Sequence, residues 1–159
     1  MTMKNGQRIG KTFGRRALLA VGLALAAVSG VHAMSMMYGN GAKRPAASEF
    51  GLGPRVSAGG QYVATLQPAQ PLRPRQMQSL RVLVRDTDGR AVESAQIAID
   101  GGMPQHGHGL PTRPRVTGHL GDGLYEIEGV RFNMGGWWEF RLTIAGPGGT
   151  DTVTFNLDL

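Results

Sequence analysis

Apolar and polar side chains alternate over short runs along most of this chain, the period-2 pattern of half-buried β-strands. The pattern is cleanest near the C terminus, where Trp138, Phe140, Leu142 and Ile144 interleave with Trp137, Glu139, Arg141 and Thr143. This predicts a strand whose even-numbered set faces the core. Ala145-Gly-Pro-Gly-Gly149 predicts a hairpin connection, and Val153, Phe155 and Leu157 supply the returning apolar face. Earlier strands are predicted over Gln61 to Leu66, around Leu80, Val82 and Val84, and around Ala95, Ile97 and Ile99. Asp86-Thr-Asp-Gly89 ends the second of these, and Gly101-Gly102 ends the third. Arg115 to Leu120 predicts a short strand before a Gly121-Asp-Gly123 turn, with Asp122 as turn former. Tyr125 and Ile127, then Val130 and Phe132, mark another, with Gly129 placed for a bend or bulge. No helical period persists across these segments. About seven short strands with turns between them predict an all-β fold, an immunoglobulin-like antiparallel β-sandwich.

The N terminus departs from this pattern. Lys4, Arg8, Lys11, Arg15 and Arg16 form a basic head without acidic residues, the apolar run Ala17 to Val28 follows, and Val31-His-Ala33 offers compact residues for a signal peptidase. The order predicts a signal peptide over residues 1–33, cleaved after Ala33, which would carry His32 away with it. Arg15-Arg16 before Ala-Leu-Leu also fits a twin-arginine leader, so both export routes stay open. The apolar run is shorter than the ~20 residues that span a bilayer, and no stable membrane insertion is expected after cleavage. Residues 34–58, rich in Gly, Ala, Ser and Pro, predict a flexible segment that contains Met34, Met36 and Met37; the domain itself is expected over 59–159.

The leader changes the electrostatic picture. The chain carries 17 basic and 11 acidic residues, a net +6; without the five leader cations the balance is 12 to 11, or +1. A nucleic-acid partner, which needs a basic patch or stripe, loses its main support. The chain has no cysteine, so neither a disulfide framework nor thiolate chemistry is available.

Candidate chemistry gathers in Met103-Pro-Gln-His-Gly-His-Gly109, which places a thioether and two imidazoles within six residues. Thioether sulfur and imidazole nitrogen suit copper, Cu(I) above all, whereas calcium and magnesium take oxygen. Met103, His106 and His108 are the expected metal ligands, with Met134 as a fourth should its loop lie at the same end of the sandwich. In extended backbone His106 and His108 point to one side, and Gly107 and Gly109 ease a tight geometry. A rigid loop with hydrogen-bonded histidines and core-filling methionines explains the same residues without a metal. His119 is a second-choice ligand, more simply read as a structural strand histidine. Trp138 falls in register with the core; Trp137 falls on the opposite face, where it shields the loop, contacts a partner or lies under a neighbouring segment. Tyr125 fits a tyrosine corner. There is no Gly-x-Ser-x-Gly elbow, His-Glu-x-x-His or phosphate-binding Gly-Lys-Ser/Thr loop, and Glu126 and Glu128 lack a recognisable pocket, so the expectation is a binding protein and not an enzyme.

Asp88-Gly89, Ala95 to Ile99, Gly102-Met-Pro-Gln-His-Gly-His-Gly109, Gly121-Asp-Gly-Leu-Tyr125 and Phe132-Asn-Met-Gly-Gly-Trp137 occur in an order that resembles the YtkA-like and FixH-like bacterial envelope domains. The resemblance spans residues 59–159 and rests on a Met-Pro-x-His loop joined to a Met-x-Gly-x-Trp strand start. It implies an exported or membrane-anchored β-sandwich, with some members tied to copper handling or cytochrome oxidase assembly. The chain departs from FixH-like proteins in lacking a convincing transmembrane anchor. Two functions are therefore expected: a periplasmic or otherwise exported protein that binds or delivers a copper ion, or a metal-free module docking to another envelope protein through Trp137 and the Met/His loop.

Overall fold

The computed structural model describes residues 41–159, and the expected leader, its cleavage point, Met34, Met36 and Met37 lie outside the described residues. Among the described residues a 3-10 turn, Ala47–Glu49, is followed by nine strands: β1 (Arg55–Val56), β2 (Tyr62–Pro68), β3 (Met77–Asp86), β4 (Gln96–Met103), β5 (His108–Gly109), β6 (Arg115–His119), β7 (Leu124–Arg131), β8 (Trp137–Gly146) and β9 (Gly149–Asp158). Seven have five or more residues and match the expected runs; β1 and β5 have two each, too short to show an alternation in sequence. They form two antiparallel sheets, β1-β2-β3-β7-β6 and β5-β4-β8-β9. The orders β2-β3-β7-β6 and β4-β8-β9 reproduce the two-sheet connectivity of the immunoglobulin fold.

The core lies between the sheets, filled by inward residues of both. Trp138, Phe140, Leu142 and Ile144 of β8 and Val153, Phe155 and Leu157 of β9 are buried, facing Leu80, Val82 and Val84 of β3 and Tyr125 and Ile127 of β7. The inward set switches from odd numbers at Ile127 to even numbers at Val130 because β7 carries a bulge. Leu80 pairs with Ile127 but Gln78 pairs with Val130, so two residues of β7 oppose one of β3. Gly129 takes φ 80° there, a value that costs glycine no Cβ clash.

Three findings differ from the sequence expectations. Residues 41–58 fall within the predicted flexible segment, yet they carry the 3-10 turn, a parallel bridge from Phe50 to Asn156, and β1. Arg44 pairs with Asp158 at 2.7 Å, and the Gly51 N–H donates to the Asn156 carbonyl at 3.0 Å. These backbone and ionic ties leave no apolar period behind. Tyr125 does not form a tyrosine corner. It lies within β7 and its hydroxyl donates to the Val92 carbonyl at 2.6 Å, tying the strand to the β3–β4 connection, while burial raises its phenol pKa. Trp137 is 4% exposed, and its indole N–H donates to Asn156 Oδ1 at 3.0 Å, so it offers no docking surface.

The β1–β2 connection is tied to β9 by Asp151. Its carboxylate accepts from the N–H of Gly59, Gln61 and Thr152 at 2.8–3.2 Å. The Ser57 hydroxyl and these N–H groups hold its pKa down at about 2, since each favours the charged form.

Candidate metal centre

The Met/His segment folds as a tight hairpin joining β4 to β5, in which Met103 faces His108 in register. The N–H groups of His106 and Gly107 both donate to the Met103 carbonyl at 3.0 Å, and Gly107 turns the chain with φ 69°. His106 therefore sits in a turn and not in extended backbone. The two imidazoles are neighbours nonetheless, with ring centroids 5.9 Å apart and planes 26° from parallel.

Beneath the hairpin lies Trp138, the residue around which the other groups assemble. The His108 ring approaches the indole edge-on with centroids 5.8 Å apart. The indole N–H donates to the Met134 carbonyl at 3.0 Å, which fixes the Met134 loop against the start of β8. Met103 is 1% exposed, and its methyl carbon lies only 3.0 Å from where a Cβ on Gly136 would sit, so the glycine makes room for the thioether. The structure thus brings the hairpin and the Met134 loop to one end of the sandwich, as the fourth-ligand expectation requires. Access differs among the four residues: His106 is exposed, His108 and Met134 are half-buried, and Met103 belongs to the core.

Among the described residues no three His, Cys, Asp or Glu side chains are grouped to hold a metal. A methionine sulfur as third ligand at this hairpin would select soft ions. One observation fits an ion directly. His108 Nδ1 is shielded from solvent and has no hydrogen-bond partner, although a buried imidazole nitrogen ordinarily finds one.

His119 does not join this group. Its Nε2 lies 3.1 Å from Glu93 Oε2 and its ring stacks on Tyr125 with centroids 4.6 Å apart, the structural role expected of a strand histidine. Sequence reasoning missed the part played by Trp138 as the floor of the site and by Gly136 as the gap that accepts Met103. The parity that places Trp138 on the core face, four residues after Met134, was the available signal. Beside the site, the Gly136 N–H donates to the Leu159 carbonyl at 2.7 Å. Leu159 also lines an apolar groove of about 410 Å³ with Phe50, Leu52, Pro71, Leu72 and Leu157.

No helix among the described residues is long and apolar enough to cross a membrane. No curated protein matches the chain. Among solved structures, the ZirS C-terminal domain is similar at 12% identity and a TM-score of 0.35, covering 96% of this chain and 100% of that one. The YtkA-like family profile matches residues 57–143, more than half of the chain and the whole stretch from the β1–β2 connection through the Met/His hairpin and Trp138 into β8. The chain belongs to the YtkA-like family.

Proposed function

We propose that this protein is an exported, periplasmic copper-binding domain that holds Cu(I) at the β4–β5 hairpin and passes it to an envelope partner. The observation that carries this reading is the neighbouring His106 and His108 rings, 5.9 Å apart, together with the shielded and unpaired Nδ1 of His108. His106 and His108 would supply nitrogen, and Met134 and Met103 would supply sulfur. A copper ion there would serve as cargo, and the hairpin's own task is to bind and release it. The exposed His106 is the accessible ligand, suited to handing the ion on, whereas the buried Met103 contributes more to packing. Export follows from the leader pattern in the sequence. Binding and not catalysis is proposed on the ligand character of the hairpin's own side chains, two imidazoles beside methionine sulfur. The metal-free docking alternative loses its principal residue, since Trp137 is buried.

The test is a Cu(I) titration against a competing chelator, run on the full chain and on a His106→Ala, His108→Ala variant. The proposal expects the double variant to lose at least tenfold in affinity, the lower bound for disturbing a metal's ligand environment. Absent binding, or equal binding by both proteins, overturns it.

A further inference from the structure

The chain contains the tripeptide Arg-Pro-Arg twice, at Arg73-Pro-Arg75 and Arg113-Pro-Arg115, and the fold brings the two together. β3 and β6 both flank β7 and run antiparallel to it, so the starts of β3 and β6 lie beside the end of β7. The first tripeptide ends two residues before Met77, the first residue of β3, and the second ends on Arg115, the first residue of β6. Arg131, the last residue of β7, pairs in register with Met77. All five arginines are exposed, and none has a side-chain hydrogen bond or ion pair among the described residues. The one carboxylate in register with any of them is Glu128, opposite Arg115. Five of the 12 cations outside the leader therefore crowd one end of the fold, although the net charge outside the leader is only +1.

The cluster is also held in place. The Gln78 side-chain amide clamps Arg73 twice, accepting from its N–H at 2.8 Å and donating to its carbonyl at 2.9 Å. Arg75 is one of two non-glycine residues with positive φ among the described residues, at 66°, and its N–H donates to the Phe132 carbonyl at 2.6 Å. A backbone strained at one arginine and fixed at both ends is the arrangement expected where position matters. Met77 stands among these cations 63% exposed.

We propose that this end of the five-stranded sheet docks onto the headgroups of an anionic phospholipid bilayer. Guanidinium groups pair with phosphate oxygens bidentately, which suits arginine over lysine. Five of them spread across three strand ends, each ~4.8 Å from the next, match a plane of headgroups better than a single small anion. The protruding Met77 supplies the apolar contact of a surface-bound protein, without insertion of any span. This docking is independent of copper binding.

Because the chain has no cysteine, Met77→Cys creates a unique attachment site for an environment-sensitive fluorophore, and Thr87→Cys marks the far end of β3. The labelled full chains are titrated with phosphatidylglycerol-containing vesicles, phosphatidylcholine vesicles and polyglutamate. The label at 77, and not at 87, should shift to the blue on the anionic vesicles, and the shift should fade at high salt. With roughly fivefold in partitioning per arginine, Arg73→Gln, Arg75→Gln and Arg131→Gln together should raise the midpoint about 100-fold. Arg85→Gln with Arg90→Gln, at the other end, should leave the response at residue 77 in place. A silent label at 77, an equal response to phosphatidylcholine, an arginine-independent response, or a response to polyglutamate without one to vesicles overturns the proposal; the last would assign the surface to an acidic protein.

Discussion

Met103 is where packing and metal binding make separable demands, and Met103→Leu separates them. The side chain is 1% exposed, sits among the core residues and abuts Gly136 closely enough that a Cβ there would lie 3.0 Å from its methyl. Leucine preserves volume and apolar character but removes the sulfur, and such exchanges cost less than about 1.5 kcal/mol. Met103→Ala leaves a cavity at the base of the hairpin, and comparable truncations cost about 2–5 kcal/mol. Urea unfolding of both variants measures the packing component, and Cu(I) competition on folded protein measures the ligand component. The expected result is a leucine variant close to wild type in stability with at least tenfold weaker copper binding. A leucine variant destabilised by more than ~3 kcal/mol would refute the packing reasoning. One that folds and binds copper like wild type would remove Met103 from the ligand set.

Tyr125→Phe deletes the buried 2.6 Å hydrogen bond to the Val92 carbonyl and leaves that acceptor unpaired, so urea unfolding should show a loss of about 1–3 kcal/mol. Trp137→Phe should likewise lower stability by about 1–3 kcal/mol by stranding Asn156 Oδ1, while copper binding stays unchanged because the ring lies on the outer face of β8. Asp151 has a folded pKa of about 2, below its unfolded value of about 3.9, so its stabilising effect is complete above pH 4 and is lost as pH falls toward 2. Asp151→Asn should therefore flatten the acid limb of a stability–pH profile across that window, and an unaltered limb would count against the Asp151 contacts.

Much of the sandwich could be read from side-chain parity. The inward sets of β3, β8 and β9 follow from alternation alone, and Gly129 marked the bulge that reverses parity in β7. Parity is silent where strands are too short or held by backbone atoms, which explains why β1, β5 and the Phe50 bridge were not anticipated. It also does not tell a covered outer face from a solvated one, so the sequence leaves shielding, partner contact and burial all open for Trp137, whose indole is buried and bonded to Asn156. At the candidate site the residue types were legible but their assembly was not. That His106 lies in a turn, and that Trp138 joins His108 to the Met134 loop, depends on strand neighbours brought together by topology. The two Arg-Pro-Arg tripeptides are far apart in sequence and meet only because β7 pairs with both β3 and β6.

The central claim is that His106 and His108 share a soft ion with methionine sulfur. X-ray absorption at the copper edge, on Cu(I)-loaded full chain and on the His106→Ala, His108→Ala variant, addresses it most directly. The account predicts nitrogen and sulfur scatterers together in the wild-type protein and loss of the nitrogen contribution in the variant. Identical spectra from the two proteins, or a wild-type spectrum without sulfur, would contradict it.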